Sequence, residues 1–258
     1  MIRVEHIEVF NFEGAIRGLR NPKNSWDKSD SWFSDGYTVH NIAGEYAPID
    51  NDCEPPEINI GEKDLNLMHT LYNAGSEHRK YLRQIFVSMD ITAPLYWWKE
   101  FDTYKIGTTA DSCSTMHKIH AKEFELDDFS WEQLLNTGCD LFTYEFGKGS
   151  FATQIQPIQL MTNFIIPSLN VCREKYLETK DKQYWWQLIQ LLPSSYNQKR
   201  TVTFTYENVV SMIRQRSGHK LDEWREFVEI LKDLPYVREI IDETNNVCRV
   251  EEASKTES

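Results

Sequence analysis

Apolar side chains recur at every second position through Ile85, Val87, Met89 and Ile91, with Phe86 leaving the other face only partly polar; this period of two predicts a half-buried strand. Pro94 follows where a helix can begin, because the first helical turn does not use its missing N–H. Trp97, Trp98, Phe101 and Tyr104 then fall at helical spacing beside Lys99, Glu100 and Asp102. This aromatic stripe is either core or a stacking platform for a planar ligand, and core is the commoner outcome. After Lys105 the chain turns through Gly107, Thr108, Thr109, Asp111, Ser112, Ser114 and Thr115, a run whose hydroxyls suit a phosphate or the backbone.

The same reading orders the rest of the chain. Residues 2–9 alternate loosely and predict a first strand, and Phe10 to Arg20 a short helix with Arg17 and Arg20 near its end. Turn formers crowd 21–36 around Trp26, Trp32 and Phe33, giving a connection pinned by its aromatics or a lid over a pocket; pinning is the reading favoured. Residues 48–61, rich in proline and acid, predict an exposed connector. Glu62 to Ala74 predicts a helix with Leu65, Met68, Leu71 and Tyr72 inward, stopped by Gly75. The cluster His78, Arg79, Lys80 and Arg83 is a solvated helix start or an anion-binding element. A short helix with Ser130 as its cap is expected within Phe124–Leu135, and Gly147–Ser150 is expected to be a turn, since no strand and glycine-rich frame makes it a phosphate loop. Helices are predicted over Ile155–Thr179, kinked or divided at Pro167, and over Tyr184–Pro193. A strand carrying Val202, Phe204 and Tyr206, a helix from Glu207 and a last helix over Leu221–Leu231 complete the pattern.

Composition narrows the classes. The 258 residues, 40% hydrophobic and 13% aromatic, can fill a sizeable core. Forty acidic against 28 basic residues give a net charge of −12, which argues against coating nucleic acid or an anionic membrane while leaving room for a local basic pocket. Five widely spaced cysteines suggest neither a disulfide framework nor zinc. MIRVEHIEVF lacks the apolar core of a signal peptide and no apolar run nears the ~18 residues of a membrane span, so a cytoplasmic location is expected.

Asp90-Ile91-Thr92-Ala93-Pro94-Leu95-Tyr96, with Lys99-Glu100-Phe101 and Ser114 after it, resembles the signature region of the flavin-dependent thymidylate synthases. In that family an acidic-Ile-x-Ala-Pro-aliphatic-aromatic strand leads into a helix ending Arg-His-Arg, then a loop of Ser, Asn-Glu, Ser and Arg-Tyr. Here Thr103-Tyr104-Lys105 stands for Arg-His-Arg, Ala110-Asp111 for Asn-Glu and Met116-His117 for Arg-Tyr. A second stretch, 188–227, is also similar, with a helix ending Leu-Pro and a strand leading directly into a helix. Ile189 occupies the place of a phosphate-contacting arginine, for which Arg200 is a substitute. Arg216, ahead of Ser217-Gly218-His219, matches the family's nucleotide-addressing arginine; otherwise it is an arginine paired with Glu223 or Asp222, and His219 is a capping or packing residue.

The resemblance implies an α/β (α+β) fold of the thymidylate-synthase-complementing-protein type, with a central, mostly antiparallel sheet flanked by helices. One domain would cover 1–242 with an insertion near 120–150, and 243–258 would be a mobile acidic tail. It implies FAD as cofactor, NADPH and methylenetetrahydrofolate as co-substrates, dUMP or a related pyrimidine nucleotide as substrate, and a homotetramer. By position, His78, Arg79, Arg83, Tyr104, Lys105, Thr108 and Asp111 would serve the flavin, and Lys99, Glu100, Ser112, Ser114, Arg200 and Arg216 the nucleotide. No protein nucleophile and no metal ligand is expected. The lost Arg-His-Arg motivates an alternative, a repurposed relative that binds a nucleotide without flavin chemistry. A purely structural protein would leave the hydroxyl-rich turn and Arg216 as coincidences.

Overall fold

The strand predicted from the period of two runs over Phe86–Pro94, where Val87, Met89, Ile91 and Ala93 are all buried and the residues between them only partly so. The computed structural model that contains it describes residues 2–34, 38–48, 58–139, 141–145 and 152–241. The expectations for 49–57, for Gly147–Ser150 and for the tail beyond Asp242 fall outside the described residues. Phe86–Pro94 lies in a four-stranded sheet whose order is Arg3–Phe10, Phe86–Pro94, Asn197–Thr205, Thr109–Ser112. Antiparallel sheet and helices together give the expected α/β (α+β) class.

The chain forms two compact units. The first comprises residues 1–5, 90–103 and 110–201, and the second 6–89, 104–109 and 202–258. In the first unit Pro94 is extended and precedes the helix Leu95–Phe101, which buries Trp97, Trp98 and Phe101. The aromatic stripe is therefore core: Trp97 packs edge-on against Trp98 and stacks on Phe101, and burying a ring such as that of Phe101 stabilises by roughly 1.5–3 kcal/mol. A separate cluster of Ile119, Phe124, Phe129, Met161, Leu169 and Leu188 holds the 115–135 segment to the helices Ile166–Thr179 and Lys182–Leu191. Those two helices meet at Lys180, whose left-handed backbone (φ 57°) reverses the chain.

Pro167 divides the predicted 155–179 helix by an unforeseen device. A π-turn, Met161–Ile165, separates the helical turn Pro157–Leu160 from Ile166–Thr179, leaving Pro167 in a first turn where its missing N–H costs nothing. The short helix expected around Ser130 is a 3-10 turn, Leu126–Asp128, closed by reciprocal bonds between Glu125 and Asp128. Ser130 caps no helix; its hydroxyl accepts from the Tyr96 hydroxyl and donates to Glu132.

In the second unit the helix Phe12–Arg20 buries Phe12, Ile16 and Leu19, and the Phe12 ring meets Tyr206 and Tyr236 edge-on. Helix Glu62–Asn73 stops at Gly75, whose φ of +106° favours glycine. Of the 21–36 connection, expected to be pinned by its aromatics, residues 21–34 are described, and the aromatics do only part of the work: Phe33 is buried, Trp32 half-buried and Trp26 exposed. The fastening is polar. Fully buried Asp64 accepts from the Ser29 hydroxyl, the Asp30 N–H, the Ser31 hydroxyl and Arg20 Nε. Tyr206–Arg216 and Asp222–Lys232 bury three large rings in this unit, Tyr206, Trp224 and Phe227. No helix among the described residues is long and apolar enough to cross a membrane.

Candidate functional site

In the first unit the opening of the Asn197–Thr205 strand builds one wall of a cavity of about 410 Å³. The backbone holds that opening on two sides: Leu95 N donates to Tyr196 O (3.0 Å), and Cys113 N donates to Lys199 O (2.9 Å). Gln198, buried, donates from Nε2 to Cys113 O (2.9 Å), fastening the Ser112–Ser114 turn to the strand. Ser114 then caps the turn Thr115–Lys118 by accepting from His117 N. The result sets hydroxyls, three lysines and two rings around one space.

Two of the cavity's three lysines are paired with acids, Lys122 with Asp128 and Lys199 with Asp90 and, at 3.5 Å, Glu5, which leaves Lys118 as the unpaired charge among the described residues. Lys118, Lys122 and Lys199 line the cavity against one carboxylate, Asp128, which pairs with Lys122 at 2.6 Å. Hydrogen bonding to Asp90, at 2.9 Å, holds the Lys199 ammonium above the usual lysine range, so it stays charged. Burial first, then the charge of Asp128, raises the Tyr196 hydroxyl, which remains a neutral donor beside the Phe124 ring. Asn197 also lines the cavity; its Nδ2 donates to Asp127 O, while its buried Oδ1 has no hydrogen-bond partner among the described residues. Such an acceptor costs about 1–3 kcal/mol if left unsatisfied.

Of the residues expected to address a nucleotide, only Ser114 lines this cavity. Lys99 is exposed in the last turn of Leu95–Phe101, and Glu100 is half-buried there, its carbonyl accepting from Thr103. Asp111 and Ser112 are exposed on the edge strand Thr109–Ser112. Arg200 is already engaged: Nη1 donates to Asp102 (2.8 Å), Nε to Gln198 Oε1 (3.0 Å), and the guanidinium lies 4.2 Å from the Trp98 ring centroid. Ile189, at the lost arginine position, packs against the apolar cluster. The sequence did not point to Lys118, Lys122, Phe124, Tyr196 or the Asn197–Lys199 run ahead of Arg200. The one signal was that polar run opening a strand.

The second unit brings two expected residues into contact. Arg216 Nε donates to the Tyr104 hydroxyl at 3.0 Å, and the same hydroxyl donates to Gln215 Oε1. The guanidinium lies 4.9 Å from the Trp224 ring centroid and 5.6 Å from that of Tyr104. His219 is a packing residue, its ring against Trp224 and its Nδ1 accepting from Leu221 N just ahead of the helix Asp222–Lys232. The 104–109 turn is tied down by Asn208, which donates from Nδ2 to Ile106 O and to the Thr108 hydroxyl; Gly107 sits at φ +74°, a conformation that strains any other residue, with Asn208 and Thr205 at ordinary contact distance. Arg79 grips Glu207 through two nitrogens (2.9–3.1 Å) and is not gathered with the others. His78, Arg83 and Lys105 are exposed, Arg83 donating to Ser76 O.

No model of a known protein family matches the sequence, and no curated protein matches it. Solved structures do. The flavin-dependent thymidylate synthase ThyX from Helicobacter pylori, complexed with FAD and dUMP, is similar with a TM-score of 0.58 at 18% identity, over 94% of this chain and 98% of that one. The fold is a ThyX fold. A second Helicobacter pylori ThyX structure with FAD and dUMP matches with a TM-score of 0.58 at 17% identity, over 95% and 98% of the two chains. The ThyX-like fold thus accounts for nearly the whole chain at an identity that leaves the chemistry to the residues. Among the described residues, no group of three His, Cys, Asp or Glu could hold a metal ion.

Proposed function

We propose that this protein is a flavin-dependent, thymidylate-synthase-like enzyme that transfers a one-carbon unit to dUMP or a related pyrimidine nucleotide, working as a homotetramer with NADPH and methylenetetrahydrofolate as co-substrates. The observation that carries the proposal is the cavity beside Ser114 in a chain of ThyX fold. Its donor set fits a pyrimidine mononucleotide. The Lys118 ammonium, unpaired among the described residues, suits a phosphate with Lys122 and Lys199 beside it, and the Tyr196 and Phe124 rings offer aromatic surface to a base. At about 410 Å³ the space is at the small end of the ~300–1,000 Å³ range of ligand pockets, the size for one nucleotide.

For the flavin, exposed His78, Arg83 and Lys105 are the charges available to a diphosphate, with the tied-down Thr108 and the Tyr104 hydroxyl as polar contacts. FAD, when bound, would supply the hydride step; the chain itself would orient the base and neutralise phosphate. A second reading, nucleotide binding without flavin chemistry, is favoured by one observation: Arg79, expected at the flavin, is already paired with Glu207.

Cys113 gives a direct test of the nucleotide site, because it is exposed and lines the cavity. Iodoacetamide is expected to modify Cys113 ahead of Cys172, whose thiol burial pushes up. Adding dUMP at about ten times its Kd is expected to slow the Cys113 reaction about tenfold, read by peptide mass spectrometry. A Cys113 rate indifferent to saturating dUMP would remove the cavity from the proposal. dUMP-dependent oxidation of NADPH separates the enzyme from the binding protein.

A further inference from the structure

We infer that a second cleft of the first unit, where the Met116–His120 turn meets the helices Ile166–Thr179 and Lys182–Leu191, binds a phosphorylated planar-ring compound of the mononucleotide class. The cleft holds about 320 Å³ and is lined by His117, His120, Lys180 and Lys182 with the Tyr176 and Trp185 rings, and by no carboxylate. In a chain of net charge −12 a lining of one sign is unusual, and the neighbouring acids are committed elsewhere. Asp181 accepts from Gln183 N (2.9 Å) to cap its helix, and Glu178 pairs with Lys175.

The two ammonium groups are available. Lys180 and Lys182 make no ion pair among the described residues. Lys180 Nζ lies 5.9 Å from the Tyr176 ring centroid; Lys182 Nζ lies 6.0 Å from that of Trp185 and 5.6 Å from that of Trp186. These separations are close to the ~6 Å limit of a useful cation–π contact, so a phosphate can draw both groups away at small cost. The rings, by contrast, are held. Trp185 Nε1 donates to Met116 O (3.0 Å), and His120 meets Tyr176 edge-on at 4.9 Å. The His120 carbonyl accepts from Arg173 Nε, which adds a further positive charge behind the turn. His120 Nδ1 is buried with no hydrogen-bond partner among the described residues. Fixed rings beside unpaired, exposed ammonium groups match a ligand with one aromatic face and one phosphate, and the volume suits a mononucleotide better than a dinucleotide.

This site does not rest on the flavin–pyrimidine reading, so its test uses a purine. The full chain is titrated calorimetrically with AMP, inorganic phosphate and an oligothymidylate. AMP is expected to bind at least about tenfold tighter than phosphate, and the double change Lys180→Ala with Lys182→Ala to weaken AMP about tenfold at an unchanged melting temperature, since both side chains are exposed. Lys180→Arg with Lys182→Arg is expected to keep most of the affinity. Absence of AMP binding, phosphate binding as tightly as AMP, or an unaltered AMP affinity in the double alanine variant would each overturn the inference. So would tight oligothymidylate binding without AMP binding, which would make the cleft a nucleic-acid surface.

Discussion

Asp64→Ala is expected to destabilise the protein by about 3–5 kcal/mol, because it leaves the Arg20 guanidinium buried without its counter-charge. The side chains of the pair are 7% and 0% exposed, and Arg20 Nη2 already lacks a partner among the described residues. The same change strands the hydroxyls of Ser29 and Ser31 and the N–H of Asp30, releasing the 21–34 connection from the helix Glu62–Asn73. Against a typical total stability of about 5–15 kcal/mol, this loss is a large fraction. The double change Arg20→Met with Asp64→Leu should cost much less than the single one, since it removes both charges together. Urea denaturation measures both. A single-variant loss under about 1 kcal/mol would show that the ion pair does not organise this region.

The second large effect is at Trp224. Its side chain is fully buried, packs on Phe227 and Tyr104, and carries the Arg216 guanidinium on its face. Trp224→Ala is expected to cost about 3–5 kcal/mol through the cavity it leaves. Trp224→Phe keeps a ring under the guanidinium and should retain most of that stability, with a residual loss that includes part of the ~0.5–2 kcal/mol of a cation–π contact. Denaturant midpoints of the two variants decide it; equal losses would mean that volume and ring face contribute nothing separable here.

The elements that were legible in the sequence are those whose burial follows a local period. Val87, Met89 and Ile91 announce a strand because alternate side chains share a face, and Trp97, Trp98 and Phe101 announce a core helix because bulky rings recur at its spacing. Asp64 was illegible for the opposite reason. A carboxylate in a helix reads as a solvated position, and only the donors that converge on it from 33 to 44 residues away make it a core residue. The candidate site divides in the same way. Ser114 was visible as part of a hydroxyl-rich turn, whereas the wall it faces comes from Tyr196–Lys199, far along the chain. Arg79 and Arg200 looked like free cations because their carboxylate partners lie 128 and 98 residues distant. The π-turn at Met161–Ile165 left only the trace of Pro167.

The central claim, that a chain of ThyX fold uses its Ser114 cavity and exposed cations for flavin and pyrimidine chemistry, is tested most directly by what the purified protein carries. Denaturing the full-length protein and analysing the released small molecules by mass spectrometry, alongside the visible spectrum before denaturation, is expected to give FAD with its oxidised-flavin absorbance and retained or added dUMP. A colourless protein that releases no flavin, takes up none when FAD is supplied and binds no dUMP would contradict the account.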